Sequence, residues 1–288
     1  MSLQLQASDP LPGMRVHDSA QWAGIQQQLQ NGASLTPLLP IGDDAGVVWI
    51  PKNGCSTLKR VWLQLQGADC QRPGFDPHSA ALPAAHWLNP EELRAVSEHR
   101  ALVAIWRDPI DRFVSACRSH LVELTTGAIH AKLRASSPDQ GSFENALRFH
   151  DELFAGHGVH SFADDADPVD VMNQAALQLP AWIACHIDWS HHTIPQTRFL
   201  GGDPRCYRTI LGMEQIDALV AHWAKASGLP LDLTPQHVSS NEAMENPWRR
   251  LRRDQLSQEA ISALQNFYAA DWAFLELAQQ QLGPWQAA

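Results

Sequence analysis

The sequence has no run of 18 apolar residues, so no segment reads as a membrane-spanning helix. Its first residues, MSLQLQASDPLPGM, lack a basic stretch followed by an apolar one. No secretory signal is expected there, and a soluble cytoplasmic protein is. Cysteine is sparse: Cys55, Cys70, Cys117, Cys185 and Cys206 are odd in number, widely spaced, and form no CxxC. That argues against a zinc ribbon or a disulfide framework and fits a reducing compartment. Positive charge is in deficit, with 21 Lys and Arg against 31 Asp and Glu, a net charge of −10. Broad attraction to nucleic acid is therefore not expected, and an anionic ligand must be held by a local basic cluster. Long Gly/Ser linkers, blocks of like charge and internal repeats are also absent.

Apolar mass is plentiful. The 288 residues include 11 Trp and nine Phe, too much for a solvated coil and enough for a core without staples. Residues 1–45 are polar, Gln-rich and Pro-punctuated, and read as an N-terminal arm; 46–288 read as one domain. GVVWIP, 46–51, is a continuous apolar run of the kind buried on both faces of a parallel sheet. In KNGCSTLKRVWLQLQG, Leu58, Val61, Trp62 and Leu65 recur at helical spacing, with Ser56 or Thr57 as the expected cap and Gly67 as the stop. A Pro/Gly-rich loop over 68–89 leads to a short helix, PEELRAVSEH, and a second buried strand, ALVAIW, 101–106. RDPIDRFVSACRSHLVEL then starts a helix at Pro109, with Phe113, Val114, Cys117 and Leu121 inward. Two strand–helix units predict an α/β fold with a central, mainly parallel sheet flanked by helices. Residues 125–168 read as a variable insertion with one helix near 143–154. Further helices are expected near 168–185, 213–227 and 257–281, and strands near 197–201 and 207–211.

Two strand-to-helix junctions carry chemistry. At Pro51-Lys52-Asn53-Gly54-Cys55-Ser56-Thr57, backbone N–H groups and the positive end of a helix converge, Gly54 permits a tight turn, Lys52 adds a point charge, and Ser56 and Thr57 add hydroxyls. This is an anion cradle without the GxxxxGK[ST] pattern of a Walker A loop. An ordinary turn with a solvated lysine reads equally well. At the second junction Arg107 closes a strand at the carboxyl edge of the sheet, where α/β ligands bind, and Ser115, Arg118 and Ser119 follow near one helical face. A helix cap with an exposed basic face is the plainer alternative.

Together the junctions resemble the two phosphate-binding motifs of sulfotransferases that use 3′-phosphoadenosine 5′-phosphosulfate (PAPS), best the carbohydrate branch that includes the chondroitin and dermatan enzymes. IPKNGCSTLKRVW resembles the 5′-phosphosulfate loop, and IWRDPIDRFVSACRSHL the 3′-phosphate motif. PAAHWLNPEEL, HTIPQ (192–196), YRTILGMEQIDAL and LSQEAISALQNFYAADWAFL are similar to later elements of that family. The resemblance spans roughly 46–280 and implies a P-loop-like three-layer fold. It also implies that Lys52 contacts the bridging oxygen and the transferring sulfonate. The amides of Asn53, Gly54, Cys55, Ser56 and Thr57 would hold the 5′-phosphate, together with the Ser56 and Thr57 hydroxyls. Arg107 and Ser115 would hold the 3′-phosphate, and Arg250, in WRRLRRD, could complete that site or form part of a solvated face. PAPS would be the donor and 3′,5′-bisphosphoadenosine (PAP) the product, with no metal required. The acceptor would be a small-molecule or carbohydrate hydroxyl, and no nucleic-acid partner is implied.

The acceptor hydroxyl needs a base. His86, taken to lie in a loop reaching the carboxyl edge, is the first choice, followed by His78 and His192; Glu91, Glu92 and Asp76 are carboxylate alternatives. Trp87 and Trp189 are candidates to stack on sugar rings, and HIDWSHH is a weak metal candidate. An ATP-dependent kinase and a non-catalytic nucleotide-binding module remain the rival readings.

Overall fold

The computed structural model describes residues 11–72, 74–231 and 246–282. The chain divides into two compact units. One comprises the described residues of Met1–Asp108, Pro195–His237 and Ala270–Ala288; the other those of Pro109–Ile194 and Val238–Ala269.

The first unit is built on a sheet. Among the described residues it has strands β1 (Thr36–Ile41), β2 (Ala45–Val48), β3 (His86–Leu88), β4 (Ala101–Trp106) and β5 (Thr209–Gly212), in the order β3-β1-β2-β4-β5. β2, β4 and β5 pair in parallel, and β1 runs antiparallel to both β2 and β3, so it is the one reversed strand of the five. Leu38, Leu39, Val47, Val48, Leu102, Ala104 and Ile105 are buried, as continuous apolar runs in a sheet covered on both faces must be. The unit's helices are α1 (Ser19–Gln30), α2 (Cys55–Leu65), α3 (Pro77–Ala81), α4 (Pro90–Ser97), α11 (Thr197–Leu200), α12 (Ile216–Ser227) and most of α14 (Ala269–Leu282). The predicted mixed α/β architecture with a mainly parallel centre is observed.

The second unit is helical: α5 (Pro109–His120), α6 (Thr126–Ser136), α7 (Gln140–Gly156), α8 (Pro168–Leu177), α9 (Leu179–Cys185), α10 (Ile187–Thr193) and α13 (Gln258–Phe267). Phe113, Val114, Cys117 and Leu121 are all buried, as their spacing predicts.

Several expectations are corrected. The segment read as an arm over 1–45 holds α1 and β1, and β1 sits inside the sheet between β3 and β2. Pro37 and Pro40 hid this strand, yet its residues still pair by register on both sides. The loop over 68–89 contains α3 and β3. The expected strand at 197–201 is the helical turn α11, ended by Gly201 at φ +72°. The insertion over 125–168 carries two helices, α6 and α7. The single helices expected over 168–185 and 257–281 are each two. Pro180 opens α9 after a break at Gln178, and α13 stops before Tyr268, whose buried hydroxyl donates to Thr193 O at 2.7 Å.

Candidate functional site

The loop after β2 is the one strained place in the described backbone. Lys52 has φ +71°, the only positive value among described non-glycine residues, and Gly54 follows at φ +68°. A left-handed lysine costs on the order of 1–3 kcal/mol and persists only where its surroundings enforce it. Successive turns of this kind direct backbone N–H groups into one concavity, an anion-binding nest. Gly54 is the N-cap of α2 and carries no capping side chain. The expected cap by Ser56 or Thr57 is therefore not made; both lie inside the first turn. With no side chain capping them, the first amides of α2 add donors at its positive end. Gly54 is also required by space, since a Cβ there would meet Ile216 Cδ1 at 2.5 Å.

Hydrogen bonds impose this conformation. Arg107, the residue after β4, donates from Nη1 to Lys52 O at 2.8 Å. The two junctions, 55 residues apart in sequence, thus meet at the carboxyl ends of adjacent parallel strands. Buried Asn53 donates from Nδ2 to Ile105 O at 2.9 Å and to Gln196 Oε1. Gln196 in turn grips the Arg107 peptide from both sides: its Nε2 donates to Arg107 O at 2.8 Å, and its Oε1 accepts from Arg107 N at 3.3 Å. One side-chain amide thus acts as a ladder partner just beyond the end of β4. Asp271, fully buried on α14, completes the frame by accepting from Gln196 N (2.9 Å), Thr197 N (3.0 Å) and Thr197 Oγ1 (3.1 Å). Sequence reasoning noticed the HTIPQ and terminal-helix segments but assigned no task to Gln196 or Asp271. An uncharged amide and a lone acid on a helix carry no spacing signal of their own.

The first turn of α2 holds a second cluster. Ser56 Oγ lies 2.7 Å from His78 Nε2, and Lys59 Nζ lies 3.2 Å from His78 Nδ1. Lys59 is buried with its ammonium 3.4 Å from the Trp49 ring centroid, and burial lowers its pKa to about 8 against the opposing pull of Cys55 and Asp76.

The family model described as "Sulfotransferase family" matches residues 47–277, four-fifths of the chain, from β2 into α14. The chain belongs to the sulfotransferase family. No curated protein and no solved structure matches it. Membership makes this chain a transferase of sulfonate groups, and the match begins in the strand that leads into the Lys52 loop. No described helix of this sulfotransferase is long and apolar enough to cross a membrane.

The other expected site residues stand elsewhere. His86 is in strand β3, not a loop. The register aligns it with Leu38 and hence with Val48, four residues short of Lys52. It is buried, lies 3.1 Å through Nδ1 from Pro12 O, and its pKa is lowered by burial. It opens β3 level with the last residue of β2, and β1 lies between the two strands. Asp76 is spent as the N-cap of α3, and Glu92 closes a capping box with Asn89 at α4. Trp87 and Trp189 are fully buried, Trp87 against Trp22 and Trp49 and Trp189 against Phe113, so neither presents a face to a sugar.

Ser115, on α5, and Arg250, in the turn Pro247–Arg250, belong to the second unit. So does His192, which stacks on His120 (centroids 3.9 Å) and lines a cleft of about 400 Å³ with Glu123, Lys132 and Asp188. His186 of the HIDWSHH run uses Nδ1 to cap α10, accepting from Trp189 N at 3.1 Å; burial, aided by Lys132, lowers its pKa to about 4.

Proposed function

We propose that this sulfotransferase moves a sulfonate group from PAPS to a hydroxyl of a carbohydrate or glycosylated small molecule. The observation that supports the donor most directly is the joining of the Lys52 loop to Arg107, which brings the Arg107 guanidinium to the left-handed turn that opens α2, at the carboxyl edge of the sheet. Ser115 and Arg250 are assigned to the 3′-phosphate on the resemblance alone.

In this reading the acceptor oxygen attacks sulfur in line while the bond from sulfur to the 5′-phosphate oxygen breaks. The acceptor's proton passes to a base, and PAP leaves with the bond's electron pair. The transferring group changes little in its own bonding, so catalysis consists of alignment and fixed positive charge. Lys52 neutralises the leaving oxygen. The amides of Gly54 to Thr57 hold the 5′-phosphate without reorganising; Asn53, expected among these donors, instead spends its amide on Ile50 O at 3.1 Å and, with Arg107 and Gln196, sets the loop.

A thermal-shift series with PAP, AMP and ATP tests the donor. At about 100 times its Kd a ligand stabilises by roughly 2.7 kcal/mol. At about 2–4 °C per kcal/mol that shift is easily read. A clear shift with PAP and little with AMP is expected. A shift only with ATP and magnesium would transfer the reading to a kinase. With an acceptor in hand, Lys52→Ala and Arg107→Ala should abolish transfer while the circular-dichroism spectrum persists.

A further inference from the structure

Ser56 sits in the first turn of α2, and its hydroxyl engages a group from outside the loop. Its partner is His78, carried on α3, and α3 is oriented by Asp76, whose carboxylate accepts from His78 N at 2.9 Å and Ser79 N at 3.1 Å. On its other edge the His78 ring meets Lys59, one helical turn after Ser56. The sequence offered His78 only as an alternative base for the acceptor, and it gave Lys59 no task.

The proton inventory decides how the chain of contacts is polarised. A lysine ammonium has three donors and no acceptor, so His78 Nδ1 must be the acceptor of the 3.2 Å contact. A neutral ring with a lone pair on Nδ1 carries its hydrogen on Nε2, and that hydrogen points at Ser56 Oγ, 2.7 Å away. Ser56 Oγ then accepts from His78, and its own O–H is turned away from the ring. A hydroxyl is normally a free rotor; here its donor direction is set in advance. Preorganised donors favour an anion because none must be reoriented when it arrives. Trp49, stacked on the Lys59 ammonium, holds the far end of the chain.

We infer that His78 is a positioning residue of the donor loop, fixing the Ser56 hydroxyl as a hydrogen-bond donor to the 5′-phosphate, with Lys59 fixing the tautomer of His78. The inference rests on the PAPS reading. It is not a claim that His78 takes the acceptor's proton.

The test is calorimetric titration of the full chain with PAP, in a double-mutant cycle of Ser56→Ala and His78→Ala, with His78→Gln as the conservative variant. His78→Ala should raise the Kd for PAP about tenfold. His78→Gln, whose amide nitrogen can stand where Nε2 stands, should recover most of that loss. In the Ser56→Ala background, His78→Ala should change the Kd less than twofold, because a residue acting only through Ser56 has nothing left to orient. Equal PAP affinity of wild type and His78→Ala overturns the inference. So does a full tenfold loss in the Ser56→Ala background, which would mean a structural or direct role. If His78→Ala fails to fold, His78→Leu, which fills the space but cannot donate to Ser56, replaces it in both arms of the cycle. Failure of the wild type itself to bind PAP would instead remove the donor reading.

Discussion

Lys52 carries both a charge and a strained backbone, and the two can be separated by mutation. Glycine adopts φ +71° at no steric cost, so Lys52→Gly should raise stability by about 1 kcal/mol, roughly 2 °C in Tm, while transfer is lost. Lys52→Ala should lose transfer without the gain; calorimetry of both variants beside wild type checks this. Lys59 gives a pH signature. Burial holds its folded pKa at about 8, below the 10.5 of an ordinary lysine. Between these values the unfolded chain binds the additional proton, so this group's contribution to stability rises as pH goes from 8 to 10.5 and is flat below 8. Urea midpoints at pH 7.5, 9 and 10 should therefore climb in wild type relative to Lys59→Met, which has no proton to bind. Parallel midpoints in the two proteins would contradict the burial of a charged amine there.

Among the elements, the helix ends differ in what they serve. α4 is closed by a capping box between Asn89 and Glu92, worth about 1 kcal/mol, and holds none of the loop in place. Asn89→Ala should cost that much and leave PAP affinity unchanged. α14 reaches the loop through Asp271. Asp271→Ala leaves the buried Gln196 N–H and the half-buried Thr197 N–H and hydroxyl without their acceptor. A loss of about 2–4 kcal/mol is expected, with weakened PAP binding as Gln196 loosens its hold on Arg107. Chemical denaturation and calorimetric titration of the two variants distinguish a cap that serves only its helix from one that serves the site. Helix breaks at Gln178 and Tyr268 were harder to foresee, because the apolar periodicity runs through both.

At the scale of the molecule, the reversed strand β1 changes what may be removed. It lies between β2 and β3 and pairs with both. A chain beginning at residue 46 would expose an unpaired edge of β2 and cast β3 adrift. Such a truncation should be recovered insoluble or without cooperative unfolding, in contrast to what an arm would allow; soluble yield and thermal melts of the truncated chain check it. The net charge of −10 repels an anionic ligand at long range, so any anion must be held by local groups such as Arg107 and the first amides of α2.

The amino-acid sequence determined by itself the parallel centre of the sheet, the helices that follow β2 and β4, and the two junctions that carry the cations. Each of these depends on local pattern: continuous apolar runs, a 3.6-residue period, glycine and proline at turns. It also placed Ser56, Lys52 and Arg107 among the candidates. Only the tertiary structure decided that β1 enters the sheet, that Gln196 and Asp271 set the loop, and that His78, not His86, is the imidazole that meets Ser56. The last two depend on hydrogen bonds between residues 22 to 143 positions apart, made by side chains whose identity alone says nothing of their partner. Strand register and buried polar contacts are properties of the assembled chain, and no periodicity in one dimension encodes them.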